Sequence, residues 1–426
     1  MTDQNNIAAP LPTPTLHAEN GVLTLEGLPL TQIAEQFGTP TYVYSKAALT
    51  SAFEAWRQAL SGRKALVCYA VKANSNLGIL SVFAQLGAGF DIVSGGELAR
   101  VLAAGGRADR VVFSGVGKTR DEMRQALLAG IRCFNVESAA ELERLDAVAG
   151  ELGKTAPIAL RVNPDVDPKT HPYISTGLKG NKFGVAFADA QSLYRRAAAL
   201  PNLHIAGIAC HIGSQLLDPA PVAEAAQKLA DLVDRLAIDG IVLEHIDLGG
   251  GLGIRYRDEA PPSVAQYLAP LLKVFEGRKE ELCFEPGRSL VGNAGLLLTR
   301  IEYLKPGETK NFAIVDAAMN DLARPALYDA WHEVVEVVER DVPTQTYDIV
   351  GPICESGDFL ARGRELAATE GDLLAILSAG AYGMTMSSNY NTRPRAAEVI
   401  VDGKQSHLVR ERESVSALFA DEKPLS

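Results

Sequence analysis

Between residues 65 and 285, short apolar runs alternate with longer stretches whose apolar residues recur at helical spacing, the rhythm of repeated βα units on a parallel sheet. The runs predict strands at Ala65–Val71, Phe90–Val93, Val111–Ser114, Cys133–Val136, Ile158–Asn163, Ile205–His211, His245–Leu248 and Leu282–Glu285. Eight such units predict an α/β fold of the (β/α)8, TIM-barrel type, in which functional residues sit at the C-terminal ends of the strands. Polar residues collect at those ends: Lys72, Ser114, Glu137, Arg161 with Asn163, His211, Gly249 to Gly251, and Glu285. Period-two alternation places Cys68, Ala70 and Lys72 on one face, and Gly207, Ala209 and His211 on another. Small residues beneath each functional one are expected to leave room for a ligand.

After Gly287 the helical spacing stops. The runs Leu296–Leu304, Asn311–Asp316, Glu333–Val338, Tyr347–Val350, Asp372–Ser378 and Ala397–Val401 predict an all-β domain. Leu16–Gly27, with Glu19-Asn20-Gly21 at its turn, predicts a hairpin that joins this C-terminal sheet. The expected division is therefore an N-terminal segment over 1–36 that joins the β domain, a barrel over 37–286, and the β domain over 287–426.

At 426 residues, 47% hydrophobic and 22% charged, the chain has material for two globular cores. A net charge of −11 disfavours a nucleic-acid or anionic-membrane surface and favours a small-molecule partner. The N-terminus lacks a basic region followed by an apolar one, and no run approaches a membrane span, so a cytoplasmic location is expected. The five cysteines include no CxxC pair, and an odd number fits a reducing compartment. Cys68, Cys133, Cys210 and Cys283 lie in apolar runs as small hydrophobes, whereas Cys354 follows a Gly351-Pro352 turn and precedes Glu355. No metal is expected.

Lys72 ends an apolar run, where desolvation lowers an amine's pKa and frees it to attack a carbonyl; a strand-end lysine reaching to solvent is the plainer reading. Gly249-Gly250-Gly251-Leu252-Gly253 follows a strand, so its amides can approach a phosphate closely, although a simple turn has the same glycines. It is not a dinucleotide fingerprint, since Ile254 stands where the last glycine would be. Glu285-Pro286-Gly287-Arg288 offers a carboxylate, a backbone amide and a guanidinium, and His211-Ile212-Gly213-Ser214 an imidazole and a hydroxyl. An amine for an aldehyde, glycines for a phosphate, a flat imidazole for stacking and a carboxylate for a ring nitrogen together suit pyridoxal 5'-phosphate.

With the motifs YAVKAN at Lys72, HIGSQ at His211, GGGLG at Gly249, EPGR at Glu285, CESGDFLA at Cys354 and AGAYGMTMSSNYN around Tyr382, the chain resembles, over nearly its whole length, the fold type III, alanine-racemase-like pyridoxal-phosphate enzymes, on their decarboxylase side. The resemblance implies that Lys72 holds the cofactor covalently, His211 stacks on its ring and Glu285 binds the pyridine nitrogen. It implies that Ser214, Gly250 and the backbone at Gly287 and Arg288 hold the phosphate, and that Asp91 supports the lysine. Cys354 resembles the family's proton donor, and Tyr382 a residue that touches both cofactor and substrate. The family also implies a homodimer whose sites are shared across the interface.

Ornithine-type relatives have an aspartate after the cysteine to meet a terminal amine; here the neighbour is Glu355. Arg288, Arg324 and Tyr328 match the family's positions for a distal carboxylate, which an arginine's planar fork suits. The implied activity is decarboxylation of meso-2,6-diaminopimelate to L-lysine and carbon dioxide, the last step of lysine biosynthesis by that route. The alternatives are an ornithine- or arginine-type decarboxylase, or a non-catalytic relative that binds one. The loop from His171-Pro172-Tyr173 to Lys182-Phe183-Gly184 is expected either to cover the barrel mouth or to be plain surface.

Overall fold

The computed structural model describes residues 11–167 and 182–425. Most of the loop expected over the barrel mouth lies outside them. The described chain divides into two compact units, one of residues 49–254 and 259–291, the other of the remaining residues.

The first unit is a closed barrel of eight parallel strands: β1 Ala65–Ala70, β2 Gly89–Ile92, β3 Val111–Phe113, β4 Cys133–Val136, β5 Ala156–Asn163, β6 Leu203–Ala209, β7 His245–Asp247 and β8 Glu281–Phe284. Each pairs in parallel with the next, and β8 closes onto β1 with Cys283 opposite Leu66. These strands are apolar almost throughout because both faces are covered, the inner by the barrel core and the outer by helices. On the outer face Tyr69 packs on Phe83, ring centroids 4.5 Å apart. Inside, Leu66, Cys68, Val112, Cys133, Ala159, Ala209 and Cys283 form one cluster. Asn76, Ser94, Thr119, Ser138 and Ser263 each cap the helix that follows, accepting from an orphan amide of its first turn.

The space expected beneath His211 is filled. A Cβ on Gly207 would lie 2.4 Å from the His245 imidazole, so the glycine makes room for a buried ring of the next strand and not for a ligand.

The second unit has a nine-stranded, mostly antiparallel sheet. Its central strand, Gly295–Lys305, pairs with Asn311–Val315, Leu373–Ile376 and Thr41–Ser45. Thr41–Ser45 also pairs in parallel with Ala397–Asp402. The hairpin forms where the turn residues place it, with positive φ at Asn20 and Gly21, but it does not become part of the large sheet. With Leu28–Pro29 it makes a three-stranded sheet of its own, tied to Val338 by one bridge. Its Leu16, Leu23 and Leu25 share a core with Leu296, Leu298, Val337 and Leu373.

Candidate active site

β1 stops at Ala70, and Val71–Ala73 forms a single 3-10 turn, so Lys72 stands just past the strand end. The parallel register sets Ala70 opposite Asp91 of β2, which brings the two side chains together. Lys72 Nζ donates to Asp91 Oδ2 at 2.7 Å; the aspartate side chain is fully buried and the lysine 38% accessible. Ala70 N–H donates to the Pro286 carbonyl at 3.1 Å, drawing the loop after β8 against this turn. Gly287 fits there because even a methyl would come within 3.1 Å of the Ala70 and Ala73 Cβ atoms. Glu97 accepts from Val93 N–H at 2.7 Å, and burial first, then the Asp91 charge, raise it to about 7.

Glu285 follows β8 at the same end. Its Oε1 accepts from Asn135 Nδ2 at 3.3 Å and Ser114 Oγ at 3.5 Å, while its N–H donates to Gly249 O at 2.7 Å. Burial, then the charges of Asp247 and Asp91, push its carboxyl well above the usual range, and Lys72 only partly opposes them. Asp247, fully buried, is also raised by burial, against the pull of Gly249 N–H at 2.9 Å. Asp91 Oδ1 and Asp247 Oδ2 find no donor among the described residues.

His211 accepts from Gly250 N–H through Nδ1 at 3.2 Å, which leaves the hydrogen on Nε2. Burial, then the Arg161 and Lys72 charges, hold the imidazole well below its ordinary value, so it is neutral. Gly249 has φ of 66°, and a Cβ on Gly250 would lie 2.2 Å from the Glu285 carbonyl, so no larger residue fits that loop. Arg288 Nε donates to Ser214 Oγ at 3.3 Å, joining the two loops expected at a phosphate. Glu137 pairs with Arg161 at 3.0 Å and accepts from Gly115 N–H and Gly184 N–H, each at 2.9 Å, which makes it a brace between loops.

Cys354, Glu355, Arg324, Tyr328 and Tyr382 lie in the other unit, where three loops converge. Asp358 accepts from Met319 N–H at 2.7 Å and Ile353 N–H at 2.8 Å, fastening the cysteine loop to the segment that leads into Arg324. Cys354 N–H donates to Asn391 Oδ1 at 2.9 Å, and Ser388 N–H to Asn320 O at 2.9 Å, which adds the loop after Tyr382. Tyr382 itself has φ of 55°, unusual for a side chain of its size. Cys354 and Glu355 are exposed, Tyr328 and Tyr382 half-buried and Arg324 buried. The other four cysteines are free and buried, as their apolar runs suggest.

The barrel set fits pyridoxal phosphate. A buried carboxyl raised by burial and by the neighbouring Asp247 and Asp91 suits a basic ring nitrogen, the neutral imidazole suits a flat ring, and the glycine loop beside Ser214 and Arg288 suits a phosphate. Asn135 and Asp247 were not legible as site residues from strand ends alone. The signal was their parity: each stands two residues after an inward residue, Cys133 or His245, and so shares its face.

The sequence pattern of the family "Pyridoxal-dependent decarboxylase, pyridoxal binding domain" matches residues 46–292. A diaminopimelate decarboxylase of Pseudomonas fluorescens is 64% identical over 406 residues, 95% of this chain and 98% of that protein. The solved diaminopimelate decarboxylase of M. jannaschii in complex with L-lysine aligns with a TM-score of 0.93 at 38% identity, covering 98% of this chain and 99% of that one. That of Helicobacter pylori, also complexed with L-lysine, aligns at 0.89 and 42% identity over 92% of this chain and 99% of that one. Among the described residues no helix is long and apolar enough to cross a membrane.

Proposed function

This chain belongs to the pyridoxal-dependent decarboxylase family, and we propose that it converts meso-2,6-diaminopimelate to L-lysine and carbon dioxide, the last step of lysine synthesis by that route. The observation that carries this reading is the Lys72 amine held 2.7 Å from a fully buried Asp91, at the same end of the barrel as the buried Glu285 carboxyl. When bound, pyridoxal phosphate supplies an electron sink for the pair left on the α-carbon as the carboxylate departs.

The residues supply the rest. Lys72 Nζ would hold the cofactor by its aldehyde carbon, with Asp91, 2.7 Å away, orienting that nitrogen. Glu285 would meet the ring nitrogen as its charge-assisted partner, and the neutral His211 imidazole would offer its flat face to the ring. Ser214, Gly250, Gly287 and Arg288 would hold the phosphate. Cys354 transfers its Sγ proton to the α-carbon of the D-configured centre, replacing the lost carbon dioxide. Arg324, Tyr328 and Arg288 bind the distal carboxylate, Glu355 meets the distal amine, and Tyr382 touches both cofactor and substrate. The relatives' names and their L-lysine complexes support this substrate.

We also infer a homodimer in which each site takes Cys354 and its neighbours from the second chain. The exposure of Cys354 and Glu355 in the single chain supports this arrangement. The decisive variant for the reading as a whole is Lys72→Ala. A folded variant is expected to lose both the visible absorbance of the bound cofactor and carbon dioxide release, and one that kept both would overturn the reading.

A further inference from the structure

His332, which no motif singles out, is completely buried against Arg324. Its Nδ1 lies 2.8 Å from the Leu377 carbonyl and its Nε2 lies 2.9 Å from Arg324 Nη1. A carbonyl can only accept and a guanidinium can only donate. Both contacts are hydrogen bonds only when the hydrogen is on Nδ1 and a lone pair is on Nε2, which is the neutral imidazole in one tautomer. The backbone is built to keep it so. Leu377 N–H donates to Glu333 O at 2.8 Å, and Arg364 Nη2 donates to His332 O at 2.9 Å.

A second contact fixes the guanidinium plane. Arg324 lies 4.6 Å over the Tyr256 ring, and that ring meets His332 edge-on, centroids 5.4 Å apart at 81°. One edge hydrogen bond and one aromatic face together define where the remaining fork points. Two-pronged binding of a carboxylate tolerates only about 10–20° of misorientation.

We propose that His332 is a positioning residue for Arg324 and thereby sets the preference for substrates with a carboxylate at the far end. This rests on Arg324 binding that carboxylate, as in the function proposed above. His332→Gln places an amide oxygen where Nε2 accepted, whereas His332→Asn places its amide nitrogen where Nδ1 donated and offers Arg324 no acceptor.

The test measures KM and kcat for diaminopimelate on the holoenzyme, together with competitive inhibition by L-lysine, which keeps the distal carboxylate, and by cadaverine, which lacks it. His332→Asn is expected to raise KM and the L-lysine inhibition constant about tenfold or more, the worth of one hydrogen bond to a charged group. kcat should stay within about threefold and cadaverine inhibition should not change. His332→Gln should restore most of the loss, and His332→Asn should add nothing in an Arg324→Ala background. Equal inhibition shifts for L-lysine and cadaverine, equal damage by Gln and Asn, or an undiminished effect in the Arg324→Ala background would overturn the proposal. If Arg324→Ala alone left KM unchanged, the assigned role of Arg324 would fall first, and the two failures are thus distinguishable.

Discussion

Glu285→Gln keeps the size of a buried side chain and removes its acid. The glutamine oxygen can still accept from Asn135 and Ser114, so the end of β8 keeps its place. What disappears is a charge-assisted hydrogen bond to the cofactor's ring nitrogen, about 1.5–3 kcal/mol. At about 1.4 kcal/mol per factor of ten, kcat should fall roughly ten- to one-hundred-fold. A second consequence concerns stability. Glu285 is raised well above the ordinary carboxyl value by burial and by Asp247 and Asp91, so the folded cofactor-free protein binds its proton more tightly than the unfolded chain. That stabilisation is complete below the unfolded carboxyl value and is lost as pH rises through the folded one. Denaturant unfolding of the cofactor-free protein should therefore show stability declining with pH above the ordinary carboxyl range, and Glu285→Gln should flatten that decline. A variant with kcat within about threefold of the native protein, or with an unchanged pH slope, would refute the role assigned to this carboxyl.

Gly250→Ala would drive a methyl to 2.2 Å from the Glu285 carbonyl, so the loop must shift. With overpacking of about 1–3 kcal/mol, cofactor affinity in a titration should fall roughly five-fold to more than one-hundred-fold. Arg324→Ala and Glu355→Ala should each raise KM for diaminopimelate while leaving the cofactor's absorbance in place; unchanged kinetics for both would count against the distal-end assignment. Mixing inactive Lys72→Ala chains with inactive Cys354→Ala chains should restore about a quarter of native activity. Random pairing makes half the dimers mixed, each with one intact site. No recovery despite demonstrated subunit exchange would rule out sites shared between chains.

The barrel was legible because both faces of its strands are buried, so each strand is an apolar run with sharp ends, and Cys133–Val136 matches to the residue. The strands that were missed stand outside the βα rhythm or carry no apolar run. Thr41–Ser45, fully buried like the barrel strands, is of the first kind. Phe359–Leu366 contains three charges and a glycine, and Gln405–Arg410 is an exposed edge strand. Polar residues at strand ends stood out in the sequence wherever a motif accompanied them, as at Lys72, His211 and Glu285. Asp247 was missed because its neighbours looked like core, and His332 because its role is to orient another side chain, which leaves no mark in residue type or spacing.

The central claim is tested most directly by measuring carbon dioxide and amine product formed from meso-2,6-diaminopimelate, ornithine and arginine by the purified protein with pyridoxal phosphate. The expected result is stoichiometric L-lysine and carbon dioxide from diaminopimelate, with kcat/KM at least about a hundredfold above either monocarboxylate, since a buried arginine site left without its carboxylate loses a charge-assisted pair. Ornithine or arginine turned over as well as diaminopimelate, or no release from diaminopimelate by cofactor-loaded protein, would contradict it.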